Sequence, residues 1–225
     1  MTDIPWKLVI LAGHYGSGKT HLAVNLALIM RQSHEQVAVA DLDIVNPYYR
    51  TRDAEALLHE AGIRLISSSL AGSNLDAPAM SADAGAIFDD PALYAVADVG
   101  GDDRGALALG RYAAKISAHP SCQVLFVCNA RRPLTASVCD ALAVLREIEA
   151  AGHIAFTGLI NNTNIGPDTT PEDILRSQPF MDKLSEASGL PVVMTSVCRD
   201  LFPALAGKVD GLFPIDMLKK KEWVL

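Results

Sequence analysis

Hydrophobic and polar positions alternate along this chain in blocks and not residue by residue. Short, continuous apolar runs recur at Trp6–Ala12, Gln36–Leu42, Ile63–Ile66, Tyr94–Ala97, Cys122–Val127, Ile154–Ile160 and Pro191–Ser196. Runs of this length without polar interruption predict strands buried on both faces, as parallel sheets require. Between them, apolar residues recur every three or four positions. Leu22, Leu26, Ile29 and Met30 share one face of a helix starting near Gly18. Leu134, Val138, Leu142, Leu145 and Ile148 form the clearest stripe, in a helix opened by Pro133 and closed near Gly152. Helices are also predicted over Asp53–Ala61, Ala106–Ser117 and Pro171–Ala187, with Gly62 and Gly189 as stops. Ser67–Ser81 follows no period and reads as a loop, and the part beyond Ser196 is short and mixed. Strand and helix alternate throughout, with no repeat and no linker. The expected fold class is therefore α/β: a doubly wound, mostly parallel sheet with helices on both faces, in a single domain over residues 1–225.

Composition narrows the function. Half of the 225 residues are hydrophobic and the mean hydropathy is +0.21, enough for a substantial core. The net charge is −7, and Lys219-Lys220-Lys221 is the one dense basic stretch. This argues against a nucleic-acid surface, which needs clustered cations. Four scattered cysteines without a C-x-x-C pair point to reduced, structural thiols. No leader and no apolar run of membrane length is read, so a soluble cytoplasmic protein is expected, with no membrane partner.

One stretch carries explicit chemistry. Gly13-His14-Tyr15-Gly16-Ser17-Gly18-Lys19-Thr20 matches G-x-x-x-x-G-K-[ST] between a predicted strand and a predicted helix. In such a phosphate loop the glycines let successive N–H groups face phosphate oxygens, and the helix adds its positive end. Gly13, Gly16, Ser17, Gly18, Lys19, Thr20 and His21 are the expected nucleotide-binding residues. Lys19 supplies the charge for the β- and γ-phosphates, and the Thr20 hydroxyl is placed for Mg²⁺. Two acidic elements follow at strand ends. Asp98-Val99-Gly100-Gly101 reads as a Mg²⁺-shell aspartate with a glycine whose N–H senses the γ-phosphate, the alternative for Asp98 being a helix cap. Of Asp41 and Asp43, Asp43 lies further into its loop and is expected to orient the attacking water or touch Mg²⁺, so Lys19 and Asp43 are the catalytic candidates.

The order GHYGSGKT, DLDIVNP, DVGGDD, GLINNTN resembles the ParA/MinD/Mrp group of P-loop ATPases, within the wider class that includes dethiobiotin and cobyrinic acid a,c-diamide synthetases. The resemblance covers roughly residues 6 to 200. It implies ATP and Mg²⁺ as cofactors, Asp43 in a first switch, Asp98–Gly101 in a second, and Asn162 reading the adenine edge, with Asn161 as competitor. The absence of N-K-x-D at Asn162-Thr163-Asn164-Ile165 favours ATP over GTP. The chain departs from that group at His14, where it keeps a lysine that crosses a nucleotide-sandwich dimer. Arg131 and Arg132 could replace that charge or pair with surface carboxylates. The expected function is a Mg²⁺–ATP-dependent ATPase or molecular switch, acting on a protein partner and able to form a nucleotide-dependent homodimer. The alternative is an ATP-dependent carboxylate ligase, with Tyr48-Tyr49-Arg50 and the 67–81 loop lining an acceptor pocket.

Overall fold

The computed structural model describes residues 4–42, 54–67, 85–101 and 103–218. Eight parallel strands form one sheet: β1 Leu8–Ala12, β2 Val37–Leu42, β3 Arg64–Ser67, β4 Tyr94–Val99, β5 Cys122–Cys128, β6 Gly158–Asn161, β7 Val192–Cys198 and β8 Leu212–Ile215. Their order across the sheet is β3-β2-β4-β1-β5-β6-β7-β8. The helices are α1 Lys19–Ser33, α2 Glu55–Glu60, α3 Ala86–Asp89, α4 Asp103–Gly110, α5 Ala113–Ala118, α6 Val138–Gly152, α7 Pro171–Ser188 and α8 Phe202–Leu205. This is the expected doubly wound α/β architecture of a P-loop protein.

The uninterrupted apolar strands divide between two cores, as the pleat demands. Leu8, Ile10 and Ala12 of β1 face a layer holding Leu109 of α4 and Leu145 of α6. Val9 and Leu11 face Leu22, Leu26 and Met30 of α1, together with Leu58 of α2. Every residue of β1 and β2 is buried. The chain winds outward in both directions from β1, which lies between β4 and β5. The crevice at the carboxyl end of β1 is therefore the place where such sheets bind ligands.

Four elements differ from the sequence expectation, each for a local reason. The predicted helix over 106–117 is two helices, α4 and α5. Gly110 sits where α4 crosses α6, its ideal Cβ 3.4 Å from the Gly152 carbonyl oxygen, so helix contact and not periodicity sets the break. The strand expected from Ile154 begins only at Gly158. Ile154 and Phe156 are buried, but His153 closes α6 in the left-handed region (φ 49°) and the chain first has to travel back to the sheet. Leu134 is 55% exposed, because the chain makes a short 3₁₀ turn at Pro133–Thr135 before α6 starts behind its Ser137 cap. Finally, β8 is a four-residue strand containing Pro214, a residue that a sheet tolerates at its edge.

Candidate functional site

The phosphate loop leaves β1 and turns into α1 above that crevice. Gly18 caps α1 at φ 90°, and an added Cβ would run into the Asn162 amide nitrogen, so only glycine fits. No side chain caps the α1 N-terminus and no acidic residue lies in its first turn. By contrast, Ser137 caps α6, and Thr170 with Asp173 forms a capping box on α7. A helix N-terminus like that of α1 suits an anion. Ser17 Oγ points the same way: it is buried and has no hydrogen-bond partner. Lys19, only 6% exposed, donates to the carbonyl oxygens of Gly13 (2.8 Å) and His14 (3.2 Å). Its ammonium lies inside the loop.

Two of the three expected cation ligands, Thr20 and Asp98, lie together. Thr20 Oγ1 donates to Asp98 Oδ2 at 2.6 Å, and both residues are buried. Parallel pairing places Asp98 beside both Leu11 and Asp41. Among the described residues no three His, Cys, Asp or Glu side chains converge to hold a metal ion. A hydroxyl and a single carboxylate suit Mg²⁺, which keeps several waters and takes its remaining ligands from phosphate. Gly101 backs directly onto the loop, its ideal Cβ 2.5 Å from the Tyr15 nitrogen, so the second acidic element and the loop tip share one surface. Asp43, Tyr48-Tyr49-Arg50 and 68–81 of the expected loop lie outside the described residues.

From the loop, a cleft of about 260 Å³ runs across the carboxyl ends of β6 and β7. Gly16, Gly18, His21, Arg132, Asn162 and Ile165 are among its lining residues, with Val197, Cys198 and Met217. Ile165 and Met217 are 49% and 45% exposed, two large apolar side chains at one cleft. Burial holds the His21 imidazole below its ordinary pKa, opposed by a backbone hydrogen bond to Leu218.

The cleft floor is an asparagine network. Asn162 Nδ2 donates to the Ser17 carbonyl oxygen (2.6 Å), and its Oδ1 accepts from Ser196 Oγ (2.6 Å). Asn129 Nδ2 donates to the Asn164 carbonyl oxygen (3.0 Å), and Asn164 Nδ2 to that of Asn162 (2.7 Å). Asn161 Nδ2 donates to Ser177 Oγ (2.8 Å). Asn162, the expected base reader, lines the cleft and also braces the phosphate loop from below, while its competitor Asn161 is tied to α7. Asn129 and Ser196 were not singled out from sequence; polar residues closing apolar strands were the available signal. Arg131 pairs with Asp173, whereas Arg132 Nε donates to the Gly16 carbonyl oxygen at 2.8 Å. All four cysteines are free thiols; burial pushes Cys122 and Cys128 up to about 12. No described helix is long and apolar enough to cross a membrane.

No protein-family model and no curated protein matches the sequence. Solved structures do match. Chloroplast FtsY from Physcomitrella patens is 18% identical with a TM-score of 0.57, covering 86% of this chain and 59% of its own. The cell division protein FtsY from Thermotoga maritima is 19% identical with a TM-score of 0.55, covering 87% and 63%. The signal recognition particle 54 kDa protein from Aeropyrum pernix, in complex with GDP, is 18% identical with a TM-score of 0.52, covering 86% and 42%.

The fold is that of P-loop nucleotide-binding proteins. The chain spans less than two thirds of the length of each of these neighbours. They also correct the sequence-based resemblance to the ParA/MinD/Mrp group: the matched structures belong to a different P-loop branch. The physical reason is that a phosphate loop, a strand-end aspartate and a DxxG glycine serve phosphate and Mg²⁺ in any branch. Such motifs do not separate one branch from another.

Proposed function

We propose that this chain, acting as one domain, binds a purine nucleoside triphosphate with Mg²⁺ at the Gly13–Thr20 loop and works as a nucleotide-dependent switch for a protein partner. One observation carries the reading. An uncapped helix N-terminus, the Lys19 ammonium, the Thr20–Asp98 pair and Gly101 meet at the carboxyl end of β1. Lys19 takes the β- and γ-phosphates, while Thr20 and Asp98 hold Mg²⁺, which supplies charge neutralisation at the phosphates. Asp43 orients the attacking water. Gly101, against the loop tip, links the γ-phosphate to the start of α4, and that link is what a partner reads.

The base lies in the cleft between Ile165 and Met217. Two supports pull its identity in different directions. The missing N-K-x-D supports adenine, and a neighbour solved with GDP supports guanine. Asn162, expected to read the adenine edge, lines the cleft and bonds Ser17 and Ser196 through one N–H and its amide oxygen. The base is therefore assigned only as a purine.

Equilibrium titration of ATP, ADP, GTP and GDP against the wild type and Lys19→Ala tests the reading. The wild type should bind one purine series. Lys19→Ala should bind it on the order of a hundredfold more weakly, the loss of a charge-assisted contact. Asp43→Ala should keep binding and slow turnover. Unchanged affinity in Lys19→Ala would remove the loop as the site.

A further inference from the structure

The strand order β1-β5-β6-β7 fixes how a nucleotide crosses the edge of the sheet. Its terminal phosphates lie over β1 in the loop, and its base lies over β6 and β7 in the cleft. The loop after β5 therefore passes under the middle of the molecule, where the α-phosphate joins the ribose. That loop is Asn129–Pro133, and Arg132 is its residue in the cleft wall.

Several contacts hold Arg132 there. Its backbone N–H donates to the Asn129 carbonyl oxygen (3.0 Å), and its own carbonyl accepts from the Thr135 N–H (3.0 Å). It precedes Pro133, which favours its extended backbone (φ −98°, ψ 136°). Its Nε is spent on the Gly16 carbonyl oxygen at 2.8 Å. An ideal Cβ on Gly16 would sit 3.3 Å from that Nε, so the guanidinium lies directly on the loop glycine. No described residue accepts from its two terminal nitrogens. Arg131 next door is a contrast, since its guanidinium is paired with the Asp173 carboxylate.

Resting on the nucleotide reading above, we propose that Arg132 is a nucleotide-binding residue. With Nε anchored on Gly16, its terminal nitrogens grip the α-phosphate of the nucleotide whose β-phosphate occupies the loop. A guanidinium can do both at once with different nitrogens, because its five donors form a planar fork, whereas a lysine would have to share one nitrogen between the two. The site thereby gains a second cation beside Lys19.

The test is competition against fluorescent N-methylanthraniloyl ADP and GDP. The competitors are unlabelled ADP and GDP and the separate Sp and Rp α-thio diphosphates. Wild type, Arg132→Ala, Arg132→Lys and the control Arg131→Ala are compared. Arg132→Ala should bind the diphosphate roughly tenfold to a hundredfold more weakly, as expected for a lost charge-assisted pair. It should also lose the wild-type preference between the two α-thio diastereomers. Arg132→Lys should fall between the two, and Arg131→Ala should match the wild type. Wild-type affinity in Arg132→Ala would overturn the proposal. So would weaker binding with the diastereomer preference intact, which marks a residue that only tethers the loop. A folded wild type that binds neither labelled nucleotide would instead overturn the nucleotide reading, and this inference with it.

Discussion

Asn162 is the residue whose meaning changed most between sequence and structure. Its amide donates to the Ser17 carbonyl oxygen and its carbonyl accepts from Ser196, with 3% of the residue exposed. Removing it leaves buried groups unsatisfied, which costs about 1–3 kcal/mol for each. Asn162→Ala should therefore lower the thermal midpoint by several degrees, since each kcal/mol is worth about 2–4 °C in a chain of this size. Its preference between ATP and GTP should stay that of the wild type. A changed preference at unchanged stability would return the residue to the base edge. Sequence could not separate these roles. A strand-end asparagine suits either, and the contacts with Ser17 and Ser196, distant in the chain, could not be read from it.

At the scale of elements, the helices at the cleft differ in how they begin. Helix α1 opens uncapped onto the phosphate site, while α7 closes its own N-terminus with Thr170 and Asp173. Hydrogen bonds from Thr170 and from Arg131 hold the Asp173 carboxyl at about 2, below its ordinary 3.8. A depressed carboxylate pKa stabilises the fold fully above the unfolded value and loses that contribution as pH falls through the folded value. The contribution of this cap should therefore be complete above about pH 5 and fall progressively as pH drops towards about 1. In acid titrations followed by circular dichroism, Asp173→Asn should be less stable than wild type at neutral pH. The gap should close across that window. A gap as wide near pH 2 as at neutral pH would show that the carboxylate is not the source.

Most elements were legible, because a strand buried on both faces has to be continuously apolar: β1, β2 and β5 could be read directly. Helix α7 was equally clear from Pro171 to Gly189. The split of α4 from α5 was not legible, since it depends on the close crossing of α6 at Gly110 and Gly152. Nor was β8, whose four residues are too few to show a period.

For the whole molecule, the candidate site is assembled from parts far apart in sequence. The loop follows β1, the cation ligands come from α1 and β4, and the cleft walls follow β5, β6, β7 and β8. The C-terminal end of the described chain is strapped down beside the loop. The Asp216 N–H donates to Asn25 Oδ1 on α1 at 2.7 Å, and its carboxylate takes both Nε and Nη2 of Arg199. A ligand that bridges so many elements should stabilise the fold as a unit. At a hundredfold excess over its dissociation constant, the bound purine nucleotide should add about 2.7 kcal/mol. That corresponds to about 5–10 °C in a thermal scan at this chain length. An unchanged midpoint at saturation would mean that these parts do not form one site.

What the sequence determined by itself was local and periodic: the parallel strands, the helices between them, and the phosphate loop with Lys19 and Thr20. These are readable because neighbours along the chain dictate them, through apolar runs, helical spacing and the glycine pattern of one turn. The tertiary structure decided everything that depends on residues meeting across the sheet. It set Asp98 against Thr20, Gly101 against Tyr15, Arg132 on Gly16 and Asn162 under Ser17. It also decided which solved structures the fold resembles, because the short motifs answer to phosphate and Mg²⁺, whereas strand order and helix packing answer to the whole chain.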